Sequence, residues 1–306
     1  INTYSLKGVN IEQKFYGGSN VDTMNSVAFN DTNIYIVGKT TSSDNDFEHS
    51  SYQEDSYILS VNKKTLKIEN YLNLAEVGND QITNVVISDA IYLIKLMYMS
   101  GIPVVKIVKL DENLAEIKTK YLGTVSTVSS IKLHSFNDNV YYFCSVYDYN
   151  INASKLCLYR IDNNLSIKLI DEYYDSNVFG SDFSVEDNEI KILYKSINKE
   201  ENYPVYLRII GSKTTIFTLD NKMYDYCYFN KQGRLELICE NELTTYNYNY
   251  IIIESFGNEN SKHEVEPIIK CNNKIIQYNK SLSDTSYNDK LFGIYHFVKV
   301  IRKRLR

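Results

Sequence analysis

The sequence has no tryptophan, only 3 prolines and 12 glycines, and 5 cysteines without a CxxC spacing. Without tryptophan, neither the Ser-x-Asp-x-Gly-x-Thr-Trp turn of sialidase-like proteins nor the Trp-Asp dipeptide of WD40 repeats can occur. Tryptophan-docking quinoprotein repeats are excluded in the same way. An odd cysteine count at irregular spacing (Cys144, Cys157, Cys227, Cys239, Cys271) is neither a disulfide framework nor a zinc site. Cys144 and Cys157 could face each other on neighbouring strands, but free thiols are the expectation. That usage suits a reducing compartment, or a bacterial surface or particle that does not rely on disulfides. The histidines, His49, His134, His263 and His296, make no HxH or HExxH pair, and GxSxG, P-loop and GxGxxG signatures are missing. No catalytic residue and no cofactor is therefore expected.

The net charge of −5 is spread along the chain, which argues against nucleic-acid binding. Only the last residues form a basic run: Lys299, Arg302, Lys303, Arg304 and Arg306. The longest apolar stretch, Ala90 to Met99, contains Lys95 and is too short to span a bilayer, so no membrane insertion is expected. The chain opens on Ile1 without a signal peptide, as expected for a mature chain or a piece of a longer one.

What is abundant is tyrosine, at 28 copies, together with isoleucine. β-Branched and aromatic residues fit a pleated, half-buried surface, so strands are favoured over helices. One short pattern recurs, a polar turn followed by alternating aliphatic and aromatic residues. It reads FNDTNIYIV from Phe29, ISDAIYLI from Ile87, SFNDNVYYF from Ser135, VEDNEIKIL from Val185, FNKQGRLELI from Phe229 and KCNNKIIQY from Lys270. Asn, Asp and Gly tolerate the left-handed conformations of tight hairpins, so each copy reads as two antiparallel strands and a turn. A second hairpin follows, at 57–72, 105–122, 156–173, 205–219 and, more loosely, 250–266. An apolar inner hairpin followed by a wetter outer one is the four-stranded unit of a propeller blade.

The first apolar residues after the inner turns, Ile34, Ile91, Val140, Ile190, Leu235 and Ile275, are 40–57 residues apart, within the range of propeller repeats. The sequence therefore predicts an all-β fold: a single six-bladed β-propeller over residues 1–306, with four-stranded antiparallel blades. Blades are expected at about 24–75, 80–123, 128–174, 181–220, 223–266 and 267–301. The sixth unit runs out after KLFGIYHFVKVI, while an orphan strand, VNIEQKFYG (9–17), precedes the first inner hairpin. Pairing the two closes the last blade with the N-terminal strand and removes open sheet edges.

The first unit carries Tyr16-Gly17-Gly18-Ser19, then Ile34 to Thr40, then Ser43 to Phe47, then Asp55 to Leu59. In that order these segments resemble the bacterial SBBP-type β-propeller repeat. That family has a Y-x-G-G-S stretch, a Val/Ile-Tyr-Val/Ile-x-G-x-T strand, a Ser-x-Asp-Phe loop and an Asp-Ala-Phe/Tyr-Val strand. The resemblance covers residues 10–72, with an echo at Tyr121 to Gly123. It implies a propeller from a bacterial or phage-related surface protein, usually one module of a longer chain, and it transfers no catalytic residue.

Two candidate sites stand out. Tyr246, Tyr248 and Tyr250 alternate and so share a strand face, where rings with polar tips suit stacking on sugars or anchoring a protein. Asp44, Asp46 and Glu48 lie in the densest acidic loop, a candidate cation site that lacks the Gly and Glu of an EF-hand. The expectation from sequence is a non-catalytic recognition module binding a cell-surface glycan or protein. It would sit outside the cell, on its surface or on a phage-tail-like particle, with other subunits of that particle as further partners. The alternatives are a scaffolding propeller within a larger assembly, and a glycan hydrolase or lyase with a central-channel carboxylate pair.

Overall fold

Runs such as Ile91-Tyr92-Leu93-Ile94 alternate between two apolar faces rather than between core and water, as a strand sandwiched between two neighbouring sheets must. The computed structural model describes residues 1–4, 10–47, 54–76, 78–124, 127–148, 152–175, 178–187, 189–196, 205–211, 214–220, 226–229, 235–239, 242–246, 252–256, 268–271 and 274–277. β1 (Asn2–Tyr4) and β2 (Asn10–Gln13) form an antiparallel hairpin. The first four-stranded sheet is β3 (Asp22–Phe29), β4 (Asn33–Thr40), β5 (Asp55–Asn62) and β6 (Ile68–Asn73). The second is β7 (Asp80–Ile87), β8 (Ile91–Met99), β9 (Ile102–Leu110) and β10 (Glu116–Thr124). The third is β11 (Thr127–Phe136), β12 (Asn139–Asp148), β13 (Ala153–Ile161) and β14 (Ile167–Asp175).

The fourth sheet is β15 (Val178–Val185), β16 (Ile190–Ser196), β17 (Val205–Ile210) and β18 (Thr214–Asp220). The fifth is β19 (Tyr226–Phe229), β20 (Leu235–Cys239), β21 (Glu242–Tyr246) and β22 (Ile252–Phe256). Of the sixth blade, the described part is the hairpin β23 (Ile268–Cys271) and β24 (Lys274–Gln277). Five antiparallel four-stranded meanders in chain order, followed by the start of a sixth, make this a six-bladed β-propeller.

The chain divides into two compact units. In the unit holding β3 to the first part of β18, the first strands β3, β7, β11 and β15 lie side by side in turn. Adjacent blades share apolar clusters. Tyr35, Val37 and Ile58 of the first blade meet Ile91, Leu93 and Val108 of the second. On the opposite face of β8, Tyr92, Ile94 and Leu96 meet Val140, Tyr142 and Cys144 of the third. Phe143, Leu156 and Leu158 then meet Phe183, Ile192 and Tyr194 of the fourth. In the other unit, β1 lies beside β24, with Cα atoms within 8 Å. The N-terminal segment is thus a hairpin rather than the single strand expected over 9–17, and it presents β1 to the last blade.

Two repeated devices escape a pattern of apolar residues. The pairing of the first two strands slips by one residue in each of the first four blades, at Met24/Ser26, Ile82/Asn84, Val128/Ser130 and Gly180/Asp182. The extra residues, Asn25, Thr83, Ser129 and Ser181, mark β-bulges that add local twist. Opposite the first of these, a Cβ on Gly38 would stand 1.8 Å from the Thr23 carbonyl oxygen, so only glycine fits there. In the outer hairpins, Asn62, Asp111 and Asp162 accept turn N–H groups, and a leucine follows with left-handed φ. Leu66, Leu114 and Leu165 take φ of 50°, 67° and 60°, yet all three are buried. Burial of the side chain outweighs a backbone cost of about 1–2 kcal/mol. Leu165→Ala is expected to lower unfolding free energy by about 2–5 kcal/mol in urea titration. A loss under about 1 kcal/mol would show that the turn does not depend on this plug.

Buried Lys95, Lys109 and Lys191 each stand beside a carboxylate. Lys95 on β8 is 1% exposed, and its Nζ lies 2.9 Å from Asp80 Oδ2 and 3.3 Å from Glu76 Oε1. It also donates to the Leu74 carbonyl. Asp80 in turn accepts the backbone N–H of Ser56 and of Glu76, each at 2.7 Å.

Candidate functional site

The acidic loop of the first blade is built into the fold. Asp44 and Asp46 flank and enter a single 3₁₀ turn, Asn45–Phe47. Asp44 Oδ1 accepts the Ser19 N–H at 2.8 Å, Asp46 Oδ2 accepts that of Gly17 at 2.9 Å, and Asp22 Oδ2 accepts that of Gly18 at 2.7 Å. Carboxylates that close in this way around a Gly-Gly-Ser turn explain both glycines; a Cβ on Gly18 would lie 2.5 Å from Asp44 Oδ1. Glu48 lies outside the described residues. Among the described residues, no group of three or more His, Cys, Asp or Glu side chains could hold a metal ion.

Tyr246 ends β21, in register with Leu235 and Ile252; Tyr248 and Tyr250 lie outside the described residues. Of the histidines, His134 packs its ring edge-on to Phe183, 5.9 Å between centroids, and burial pushes its pKa down. The first strands of the first four blades carry three carboxylates, Asp22, Asp80 and Asp182. Asp22 is occupied by Gly18 and by the Thr40 hydroxyl at 2.5 Å, and Asp80 by Lys95.

A cleft of about 250 Å³ opens between the second and third blades. Its blade-2 wall is apolar, with Val105, Leu122 and Gly123, and its blade-3 wall carries the chemistry. On that wall three side chains of β12 (Tyr142, Cys144, Val146) and three of β13 (Tyr159, Cys157, Lys155) point the same way, because strand residues two apart share a face. They face each other in register as Tyr142↔Tyr159, Cys144↔Cys157 and Val146↔Lys155. The tyrosine rings stack at 5.8 Å with 22° between planes, which orders the inner end of the rung.

The next strand continues it. Glu172 of β14 is in register with Cys157, and Tyr174 with Lys155. Lys155 Nζ lies 3.1 Å from Glu172 Oε2 and 5.1 Å from the Tyr174 ring centre, and the Tyr174 hydroxyl donates to Glu172. The two thiols are unoxidised and hydrogen-bonded to each other. That shared bond separates their acidities. Cys144 gives its proton to the bond and is buried, so its pKa rises well above the ordinary thiol value. Cys157 receives the bond and, although burial opposes it, the bond together with Tyr159 and Lys155 holds its pKa below that value; Glu172 works the other way. Tyr142 is pushed far up, chiefly by burial, and stays neutral. Sequence inspection noted only that the two cysteines could face each other. The cleft itself depends on how two blades pack, which strand periodicity does not encode.

No protein-family model matches the chain, and no curated protein matches it. Solved structures do. An acylaminoacyl peptidase in complex with Z-Gly-Gly-Phe-chloromethyl ketone is similar at 12% identity with a TM-score of 0.51, over 83% of this chain and 42% of that one. The Pyrococcus horikoshii acylaminoacyl peptidase gives 12%, 0.50, 83% and 42%. Hydrazine synthase from Kuenenia stuttgartiensis gives 9% and 0.43, over 78% and 80%. The chain thus spans less than half the length of the two peptidases. At these identities the likeness shows the fold, a β-propeller. It also corrects the expectation of a non-catalytic recognition module. That expectation rested on missing linear motifs within a fold that, as the two peptidases show, enzymes also carry. A propeller gathers side chains from separate strands and blades, so a motif search along the chain does not test for a site.

Proposed function

We propose that the chain is a thiol-dependent enzyme whose reacting group is the Cys157 thiolate, acting on a small electrophile held in the cleft between the second and third blades. The observation that carries this reading is the rung Cys144–Cys157–Glu172 on the cleft wall, with Lys155 beside it. A thiolate is the nucleophilic form of cysteine, and a thiol becomes reactive where a cation and hydrogen-bond donors stabilise that form next to accessible space. Here Lys155 supplies the charge, Cys144 and Tyr159 the hydrogen bonds, and the cleft the space. The first blade is further read as an SBBP-type repeat, supported by Gly18 and Gly38, which stand where no Cβ fits.

Alkylation with iodoacetamide, followed by peptide mapping, tests the reading. The groups that set the titration are Tyr142 and Cys144 from β12, Lys155 and Tyr159 from β13, and Glu172 from β14, and Asp148 at the end of β12 also lines the cleft. The blade-2 wall contributes no charge. Because the Cys157 pKa is lowered, its alkylation is expected to level off at a pH below about 8.5, the ordinary thiol value. Cys144 is expected to react far more slowly. Modification of Cys157 only at the rate of global unfolding, or only above the ordinary thiol range, would overturn the proposal.

A further inference from the structure

A nucleophile working on an acyl or alkyl electrophile needs one thiol; this rung has two. Cys144 and Cys157 stand directly opposite each other on paired antiparallel strands. Such residues have Cα atoms about 4.5–5.5 Å apart, inside the range of roughly 4.4–6.8 Å that a disulfide bridges. Both side chains point into one cleft, and both sulfurs are unoxidised. Taking the Cys157 reading as its starting point, we infer that Cys144 is the resolving thiol of a reversible dithiol–disulfide couple, and that the electrophile is a low-molecular-weight disulfide.

The exchange balances without any further reagent. The Cys157 thiolate attacks one sulfur of the disulfide R–S–S–R; an S–S bond forms to Cys157, the R–S–S–R bond breaks, and one RS⁻ leaves. Cys144 then loses its proton to that departing thiolate and attacks Cys157 Sγ. The mixed disulfide breaks, a second RS⁻ leaves and takes a proton from solvent, and the Cys144–Cys157 bond closes. Two electrons pass from the cysteine pair to the small disulfide, which becomes two thiols. The proton taken from solvent replaces the one that Cys157 gave up on ionising, so the net reaction is dithiol plus disulfide to disulfide plus two thiols.

The test uses the full chain and 2-hydroxyethyl disulfide, read by intact mass, thiol titration and peptide mapping. Wild-type protein is expected to lose two titratable thiols and two hydrogens, with a Cys144–Cys157 cross-link that excess dithiothreitol reverses. Cys144→Ala is expected to stop at a mixed disulfide on Cys157, and Cys157→Ala to leave Cys144 unmodified; near-UV circular dichroism establishes that both variants are folded. A mixed disulfide that persists on wild-type Cys157 would overturn the inference while leaving the nucleophile reading standing. So would alkylation of Cys157 by iodoacetamide without any cross-link after disulfide treatment. Wild-type protein inert to both reagents would overturn both.

Discussion

Asp80→Ala is expected to lower the unfolding free energy by about 3–5 kcal/mol, because it leaves the Lys95 ammonium buried without its closest counter-ion. The pair is 1% and 2% exposed, so water cannot take over the role of the carboxylate. The same carboxylate also accepts two backbone N–H groups, from Ser56 and Glu76, which join the first blade to the start of the second. Lys95→Met should cost less, about 1–3 kcal/mol, since the methionine fills the lysine stem and Asp80 keeps both N–H donors. Urea titration of the two variants measures that ordering. Equal losses, or a larger loss for Lys95→Met, would show that the backbone bonds to Asp80 contribute little. Glu76 adds a pH dependence. Burial pushes its carboxyl up, but Lys106 and Lys95 outweigh burial and hold its pKa below the ordinary value. Its contribution is therefore present above the ordinary glutamate pKa and fades as pH falls through the lowered one.

Deleting residues 1–13 is the second large effect. Without the β1–β2 hairpin, β24 loses β1, which lies beside it. Exposed strand edges pair with whatever chain arrives, so aggregation at micromolar concentration is expected. Where the truncated chain remains soluble, its melting midpoint should fall by about 5–8 °C, the shift that roughly 3–5 kcal/mol produces in a domain of this size. A monomer that melts at the wild-type temperature would show that the hairpin does not stabilise the last blade.

The blades were legible in the sequence because each inner hairpin repeats the same period-two pattern, from Ile34 through Ile275. Closure by the N-terminal segment was legible as a strand over 9–17, but β1, only three residues long and polar at Asn2 and Thr3, carries no pattern of its own. The bulges were hidden because Asn25, Thr83, Ser129 and Ser181 share small polar character but not one residue type. The leucine plugs were hidden because Leu66, Leu114 and Leu165 sit in turns, where an apolar residue with left-handed φ runs against propensity. In the candidate site, the facing of Cys144 and Cys157 followed from strand spacing. The acidity difference between them required Lys155, Glu172 and Tyr159 to be placed around one sulfur, and that placement is set by three strands and a neighbouring blade. In the acidic loop the carboxylates of Asp44 and Asp46 were legible in sequence, but not that they accept the N–H groups of Ser19 and Gly17, which the fold brings to them from a distant segment.

The partnership of β1 with β24 has a consequence for how the protein is made. About 270 residues lie between Tyr4 and Lys274. At a ribosomal rate of roughly 5–20 residues per second, the first hairpin emerges about 15–50 s before the strand it accompanies. Each complete blade is a local meander that can form as it leaves the exit tunnel, whereas the hairpin has to wait for the last one. Until β24 is made, the nascent chain carries the β1–β2 segment without the strand it accompanies. Capture of that segment by a ribosome-associated chaperone, or its premature pairing with a neighbouring chain on the same polysome, is decided within this interval.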